Sequence, residues 1–402
     1  MQDNDINTGM FQEKEVNVGV LKTDTLRVVF LGEYYCDGES FAGEHTFTVK
    51  DAGKCFTPSS AECSFTLKDV VIGINFHWER KEDQTFHGAL MLIEEDGEVR
   101  AVNVVPVETY LTSVISSEMS ANASLELLKA HAVISRSWLL RQMEHTLPVT
   151  SSEDEKEESD SFIVRWYDSE GHTNFDVCAD DHCQRYQGIT RQSNPNVIEA
   201  IEETRGEVLT YEGEVCDARF SKCCGGVLET FENCWQPIHL PYLVTKADPY
   251  CNTTDKRILS MVLNNYDQET VNFYRWEVKY TADELSDLVK RRSGIDFGTI
   301  IDLVPVIRGE SDRIVLLKIV GEKRTVTVGK ELEIRKWLSE SHLYSSAFQV
   351  EKTDTGFILH GKGWGHGVGL CQIGAAVMGD QGFNYREILE HYYPNATIDK
   401  LW

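Results

Sequence analysis

The feature that most constrains this chain is a stretch in which glycine takes every second position: Gly361, Gly363, Gly365, Gly367 and Gly369. Because strand side chains alternate between two faces, this spacing predicts a strand that is bare on one face. Glycine costs about 0.5–1 kcal/mol per strand position relative to alanine, so its repeated use indicates that another backbone or a ligand approaches closely. Tight packing against a neighbouring helix is the alternative interpretation.

The composition is that of a soluble globular protein with room for two or three domains, since 41% of the 402 residues are hydrophobic and 26% are charged. No apolar run reaches the roughly 18 residues of a transmembrane helix. The first seven residues lack the basic and apolar regions of a signal peptide, so we expect either a cytosolic protein or one whose leader was removed. The net charge, 39 − 65 = −26, argues against a nucleic-acid partner.

Hydrophobic periodicity predicts an α+β fold: a mixed α/β catalytic core, a β-rich N-terminal region and an inserted α+β subdomain. Apolar residues recur at three and four from residue 107 to 119, which predicts a helix, and residues 125–143 predict a second, buried helix. An acidic run at 153–160 is typical of a solvated or disordered loop. The predicted boundaries are 1–100 for the N-terminal region, 101–251 for the first part of the core, 252–352 for the insertion and 353–402 for the glycine-rich remainder of the core.

Three charged residues of the two predicted helices are candidates for chemistry. Glu118 ends the first helix beside its apolar stripe, and apolar surroundings raise a carboxyl pKa as a general acid requires, although most glutamates at helix ends are simply exposed. Lys129 and Arg136 lie two turns apart on one face of the otherwise apolar second helix. They would either bind an anionic substrate group near Glu118 or pair with internal acids.

The eleven cysteines are grouped locally rather than spaced as a disulfide framework. His172, Cys178, His182 and Cys183 offer two imidazoles and two thiolates, a set that suits a structural, tetrahedral zinc ion. The pair at 223–224 would either bridge to Cys216 or Cys234 in an oxidising compartment or remain as buried thiols. No phosphate-binding or dinucleotide-binding motif occurs, so no organic cofactor is predicted.

Several segments, taken together, resemble the stage II sporulation protein D family of peptidoglycan enzymes. The similarity runs in order from residue 100 to 402. It includes Val-Pro-Val-Glu-Thr-Tyr-Leu at 105–111, Leu-Leu-Lys-Ala-His-Ala at 127–132, the Cys/His segment at 176–188, Gly-Gly at 225–226, Gly-His-Gly-Val-Gly-Leu-Cys-Gln-Ile-Gly-Ala at 365–375 and His-Tyr-Tyr-Pro at 391–394. The tail is the most specific part.

The resemblance implies a lytic transglycosylase that cleaves glycan strands of peptidoglycan, preferring strands without stem peptides. Glu118 falls on the family's catalytic glutamate, Lys129 and Arg136 on its functional lysine and arginine, and the tail adds His366 and Gln372 as substrate-binding residues. The family's zinc-binding cluster falls on the Cys/His segment, which here has one residue fewer between the cysteines. The function also implies an extracytoplasmic location, in the periplasm or cell envelope.

Two departures and two rival functions remain open. This chain has Ser-Lys-Cys-Cys at 221–224 where relatives have a serine-rich run, and it has His131 where glutamine is common. Some relatives are described as enhancers of cell-wall amidases, so an amidase is a second candidate partner beside the glycan. In that case Glu118 would be structural. A cytosolic, zinc-stabilised binding protein is the third interpretation.

Overall fold

A computed structural model describes residues 12–72, 80–120, 123–144, 156–166, 172–180, 183–191, 195–262 and 272–402. The helices of these residues are α1 (Val107–Glu118), α2 (Leu125–Glu144), α3 (Pro195–Glu203), α4 (Phe231–Cys234), α5 (Lys256–Leu259), α6 (Ala282–Ser293), α7 (Glu331–Trp337), α8 (Gln372–Asp380) and α9 (Tyr385–Tyr392). The strands are β1 (Glu15–Thr23), β2 (Leu26–Cys36), β3 (Glu39–Phe47), β4 (Cys55–Pro58), β5 (Ser64–Ile72), β6 (Arg80–His87), β7 (Ala89–Glu95), β8 (Glu98–Pro106), β9 (Lys156–Ser159), β10 (Phe162–Arg165), β11 (Val177–Cys178), β12 (Glu207–Tyr211), β13 (Glu214–Val215), β14 (Phe220–Ser221), β15 (Arg275–Thr281), β16 (Ile300–Arg308), β17 (Ile314–Gly321), β18 (Thr325–Gly329), β19 (Phe348–Lys352), β20 (Gly356–Lys362), β21 (Leu370–Cys371) and β22 (Thr397–Lys400).

The predicted α+β class and the β-rich N-terminal region are confirmed. The N-terminal strands form a sheet in the order β11-β1-β8-β7-β4-β2-β5-β6, with β3 paired to β2. Its strands alternate buried and exposed residues, as expected where one face covers a core. The short strand β11 extends the sheet in parallel to β1, with Val177 opposite Val18 and Cys178 opposite Gly19. The predicted Cys/His segment is therefore attached to the edge of this sheet.

Helices α1 and α2 follow the sheet directly. Pro106 precedes α1, and the helix ends where Met119 adopts an extended conformation. Almost every α2 side chain from Leu127 to Leu140 is buried, which confirms the prediction of a helix surrounded by protein on all sides. Strand β22, near the end of the chain, returns to pair with β12 beside these helices.

A second hydrophobic core is formed by buried residues between Trp276 and Leu359. Its larger sheet has the order β16-β17-β18-β10-β9, and a three-stranded sheet has the order β15-β20-β19. Strand β10 comes from the earlier segment at 162–165 and runs parallel to β18. The loop predicted at 153–160 is thus wrong for residues 156–159, which form β9. Residues 153–155 lie outside the described residues.

The glycine stretch is a strand only as far as Lys362. Beyond it, Gly363, Gly365, Gly367 and Gly369 all have positive φ angles, between 70° and 87°. Alternating left-handed residues do not form a strand, so that part of the prediction is wrong. The close approach is real, however, because a Cβ atom on Gly369 would lie 1.9 Å from the carbonyl oxygen of Arg219.

Candidate functional site

The carboxyl group of Glu118 lies at the C-terminal end of α1 and is half-buried. Its Oε1 atom accepts a hydrogen bond of 3.4 Å from the backbone N–H of Arg185. Arg185 lies two residues beyond Cys183 in the predicted metal-binding segment. The structure therefore brings the predicted catalytic residue into contact with the segment that carries the predicted metal ligands.

This segment is anchored on both sides of Arg185. The Gln184 side chain donates to the carbonyl oxygen of Ser135 in α2, at 3.4 Å. The phenol of Tyr186 donates to Asn103 Oδ1 at 2.5 Å, and its ring stacks on Tyr110 of α1 at 5.0 Å between centroids. Since Tyr186 and Gln184 are both buried, residues 184–187 present a fixed backbone to the end of α1.

Three of the four predicted zinc ligands come together. The metal-binding atoms of His172, Cys178 and Cys183 all lie within 4.8 Å of one another. His172 Nε2 is 3.4 Å from Cys183 Sγ, and the backbone N–H of Cys178 donates to the same sulfur at 3.4 Å. The fourth predicted ligand, His182, lies outside the described residues. Imidazole nitrogen and thiolate sulfur are the donors that zinc prefers, so this cluster, which could hold a metal ion, fits zinc.

The two predicted substrate-binding cations are both engaged internally. Lys129 Nζ lies 3.0 Å from Glu126 Oε1 and 2.6 Å from Glu203 Oε2. Arg136 is fully buried and forms a bidentate pair with Glu108, in which Nε and Nη2 donate to the two carboxylate oxygens at 3.1 Å and 2.6 Å. Both side chains therefore form the internal ion pairs that were the alternative to binding an anionic substrate group.

Glu108 is a structural residue that the sequence interpretation missed. Besides Arg136, its Oε1 atom accepts the backbone N–H of Gly206 and the indole N–H of Trp402, both at 3.0 Å. The carboxylate thus joins α1, α2 and the end of the chain. The sequence pattern that could have identified Glu108 is its position three residues before Leu111 and seven before Ile115, which places a carboxyl group on the apolar face of the helix.

The two predicted binding residues of the tail also make internal contacts. Gln372 is 2% exposed, and its amide donates to Nε2 of the buried His131 at 3.2 Å. Burial, with a smaller contribution from Lys222, lowers the pKa of His131 to about 3, so the imidazole is neutral. The His366 ring packs edge-on against Trp235 at 4.8 Å. Burial of this ring, followed by the charges of nearby arginines, lowers the His366 pKa well below its usual value.

A separate cavity of about 730 Å³ opens on the β15-β20-β19 sheet. Trp276, Phe348, Gln349, His360 and Lys362 are among its lining residues. The start of the glycine stretch reaches it at Gly361, beside residues of the predicted insertion such as Asp312. Its lining does not include Glu118 or the His172 cluster, so it is a different surface from the candidate site.

Fold and site together define an α+β protein in which a glutamate at a helix end accepts a hydrogen bond from Arg185, two residues beyond a Cys/His cluster able to hold a metal ion. The family model for stage II sporulation protein matches residues 95–211, which include both features. A family described as a domain of unknown function (DUF8618) matches residues 229–369. Residues 95–211 therefore match a stage II sporulation protein domain, and two Bacillus proteins named stage II sporulation protein D are similar to the chain over 75% of its length.

Three relatives illustrate the similarity. An uncharacterized protein of Brachyspira hyodysenteriae is 29% identical over 313 residues, covering 78% of this chain and 72% of the relative. The amidase enhancer of Bacillus subtilis is 27% identical over 319 residues, covering 72% of this chain but 40% of the relative. Stage II sporulation protein D of Bacillus amyloliquefaciens is 24% identical over 307 residues, covering 75% of this chain and 76% of the relative. Within the described ranges, none of the helices combines the length and apolar composition that a membrane-spanning helix needs.

Proposed function

We propose that this protein is a peptidoglycan lytic transglycosylase in which Glu118 is the general acid and base. The observation that carries the proposal is the contact of the half-buried Glu118 carboxyl group with the backbone of Arg185, beside the metal-binding cluster. A catalytic group needs a fixed position before its pKa matters, and the anchored segment 184–187 supplies that position.

The proposed reaction requires one carboxyl group. Protonated Glu118 donates its proton to the glycosidic oxygen as the bond from that oxygen to C1 of N-acetylmuramic acid breaks. The resulting carboxylate then takes the proton from the muramyl 6-hydroxyl group while that oxygen bonds to C1. The products are a 1,6-anhydromuramyl end and a free N-acetylglucosamine 4-hydroxyl group. The proton returns to Glu118 and water is not consumed. Glycosidases that hydrolyse the bond use a pair of carboxyl groups instead.

The proposed metal is a structural zinc held by His172, Cys178 and Cys183, with His182 as the predicted fourth ligand. Bound there, zinc would supply a cross-link within the segment 172–183, as structural zinc sites do in other proteins. Cys178 is already paired with β1, and Arg185 already contacts Glu118. A rigid segment between those two points would hold the Arg185 N–H against the carboxyl group.

The first experiment compares wild type with Glu118→Gln on peptide-stripped glycan strands, with the products analysed by mass spectrometry. The matched control is Glu144→Gln, which changes a glutamate at the C-terminal end of the neighbouring helix α2. We expect anhydromuramyl products from wild type and the control, and none from Glu118→Gln. Cleavage by Glu118→Gln at the wild-type rate would remove Glu118 from the mechanism.

A second candidate function is enhancement of a cell-wall amidase. The name of the Bacillus subtilis relative supports it, as do the internal ion pairs of Lys129 and Arg136, which leave these cations no evident role in substrate binding. A purified cell-wall amidase acting on whole peptidoglycan tests it through the rate of stem-peptide release. A higher rate in the presence of Glu118→Gln, which cannot cleave the glycan, would favour the enhancer. Both functions place the protein at the cell envelope.

A further inference from the structure

The four buried side chains of Cys224, Asp248, Cys251 and Cys371 form a second cluster of metal-binding donors, far in sequence from the His172 cluster. Their exposed fractions are between 0% and 2%. The three sulfur atoms and one carboxylate oxygen all lie within 4.8 Å of one another. Sequence interpretation considered Cys224 only with Cys216 or Cys234, because Cys251 and Cys371 are distant along the chain.

The distances within this cluster match a tetrahedral site. Cys224 Sγ lies 3.4 Å from Cys251 Sγ and 3.2 Å from Asp248 Oδ2. Zinc–sulfur bonds of about 2.3 Å place the sulfurs of a tetrahedral site about 3.8 Å apart. Shifts of less than about 1 Å would therefore bring all four donors into ligand positions.

Hydrogen bonds already orient these donors. Cys371 Sγ accepts the backbone N–H of Cys224 at 3.3 Å. Asp248 Oδ1 accepts the backbone N–H of Tyr250 at 3.0 Å, and its Oδ2 accepts the phenol of Tyr392 at 3.3 Å. Metal ligands are commonly held by a second set of hydrogen bonds, which fixes the lone pairs that face the ion.

Charge also favours a cation at this position. Ionised thiol and carboxyl groups are expensive to bury unless they are paired or coordinate a metal. A divalent cation would neutralise part of the charge on three thiolates and a carboxylate. The buried guanidinium of Arg313, which donates to the Cys224 carbonyl at 3.1 Å, adds a positive charge beside the cluster. A disulfide between Cys224 and Cys251 would remove two of the four donors and leave the Cys371 thiol and the Asp248 carboxylate, which also lies 3.8 Å from His391 Nε2.

We propose that Cys224, Asp248, Cys251 and Cys371 form a second structural zinc site. The ion would join the loop after β14, the loop before α5 and the first residue before α8. Because Cys371 directly precedes α8 and follows the glycine stretch, the site would fix the end of that stretch against the core. This inference does not depend on glycan cleavage, so its failure and the failure of the proposed function are separable.

Metal content and cobalt spectroscopy of the full chain test the proposal. Cys183→Ser removes a ligand of the His172 cluster and should leave about one zinc ion per chain, with thiolate-to-cobalt charge-transfer bands after substitution by Co²⁺. Adding Cys371→Ser should abolish that remaining metal. Adding Cys216→Ser instead should not, since Cys216 is equally buried but lies outside both clusters.

Three results would overturn the second site: no metal in Cys183→Ser, undiminished metal in the Cys183→Ser/Cys371→Ser variant, or a Cys224–Cys251 disulfide in the protein as purified. If the double variant does not fold, X-ray absorption at the zinc edge of the Cys183→Ser variant tests the site by counting the sulfur ligands of its remaining zinc ion. Three sulfur ligands and one lighter ligand support the site, and any other sulfur count contradicts it.

Discussion

Replacing Arg136 with methionine should lower the free energy of unfolding by much more than the removal of one exposed charge would. The Arg136 side chain is 0% exposed and that of Glu108 is 5% exposed, with 2.6 Å between Nη2 and Oε2. Methionine fills much of the same volume but leaves the Glu108 carboxylate buried with only the N–H groups of Gly206 and Trp402. Breaking a buried ion pair in this way costs about 3–5 kcal/mol.

The assay is chemical denaturation of the full chain followed by far-ultraviolet circular dichroism and tryptophan fluorescence, which must report the same transition. Lys22→Met is the matched control, because Lys22 pairs with Asp96 at 2.9 Å on an exposed surface. Exposed pairs contribute about 0–1 kcal/mol. In the Arg136→Met/Glu108→Gln double variant, part of the loss should be recovered, since no uncompensated carboxylate remains.

The reasoning fails if Arg136→Met loses no more stability than Lys22→Met while its affinity for glycan strands falls. That result would mean that Arg136 binds substrate, as the family resemblance implies, and that the pair with Glu108 opens when substrate arrives. A loss of about 3–5 kcal/mol with unchanged glycan affinity in the folded fraction would assign Arg136 to the fold.

Three further predictions concern acid, backbone and metal. His131 has a pKa of about 3 in the folded protein and protonates near pH 6.5 when unfolded, so the free energy of unfolding should fall by up to about 1.4 kcal/mol for each pH unit as the pH is lowered from 6.5 to 3. His131→Gln should flatten that slope in pH-dependent melting curves, and an unchanged slope would exclude this histidine as the cause. Gly369→Ala should destabilise by at least about 2 kcal/mol more than Gly213→Ala, because both glycines have positive φ but only Gly369 would meet a carbonyl oxygen, at 1.9 Å; similar denaturation midpoints would refute the clash. Removing zinc with a strong chelator should lower the melting temperature and the rate of glycan cleavage, and added zinc should restore both; an unchanged melting temperature in metal-free protein would contradict a structural metal.

Hydrophobic periodicity predicted helices α1 and α2 well, because the residues that determine a helix are neighbours in the sequence. The apolar spacing in 107–119 and 125–143 gave α1 and α2 nearly to the residue, and the apolar residues almost all round α2 correctly predicted its burial. His172, Cys178 and Cys183, which could hold a metal ion, also lie close together in sequence, so their grouping could be recognised from their spacing. The domain boundaries and the roles of Glu118, Lys129, Arg136, His366 and Gln372 stay predictions.

Contacts between segments that are distant in sequence could not be predicted from hydrophobic periodicity or residue spacing. Nothing in the acidic run at 153–160 indicates that β9 and β10 join a sheet whose other strands begin at residue 300. The second cysteine cluster combines residues up to 147 positions apart, since Cys224 contacts Cys371. The glycine stretch had the spacing of a strand, but spacing alone does not distinguish extended glycines from left-handed ones. At position 369 glycine is needed both for its positive φ and for the close Arg219 carbonyl, which leaves no room for a Cβ atom.

The most direct test of the central claim is cleavage of peptide-stripped glycan by the wild-type chain in water enriched in ¹⁸O. The proposed mechanism predicts muramyl ends that are lighter by one water than reducing ends and that carry no ¹⁸O, because the 6-hydroxyl of the same sugar displaces the leaving group. Reducing ends that carry ¹⁸O would show hydrolysis and contradict the transglycosylase. Intact strands would contradict any cleavage by this chain, and the stimulation of a cell-wall amidase would then be its remaining function.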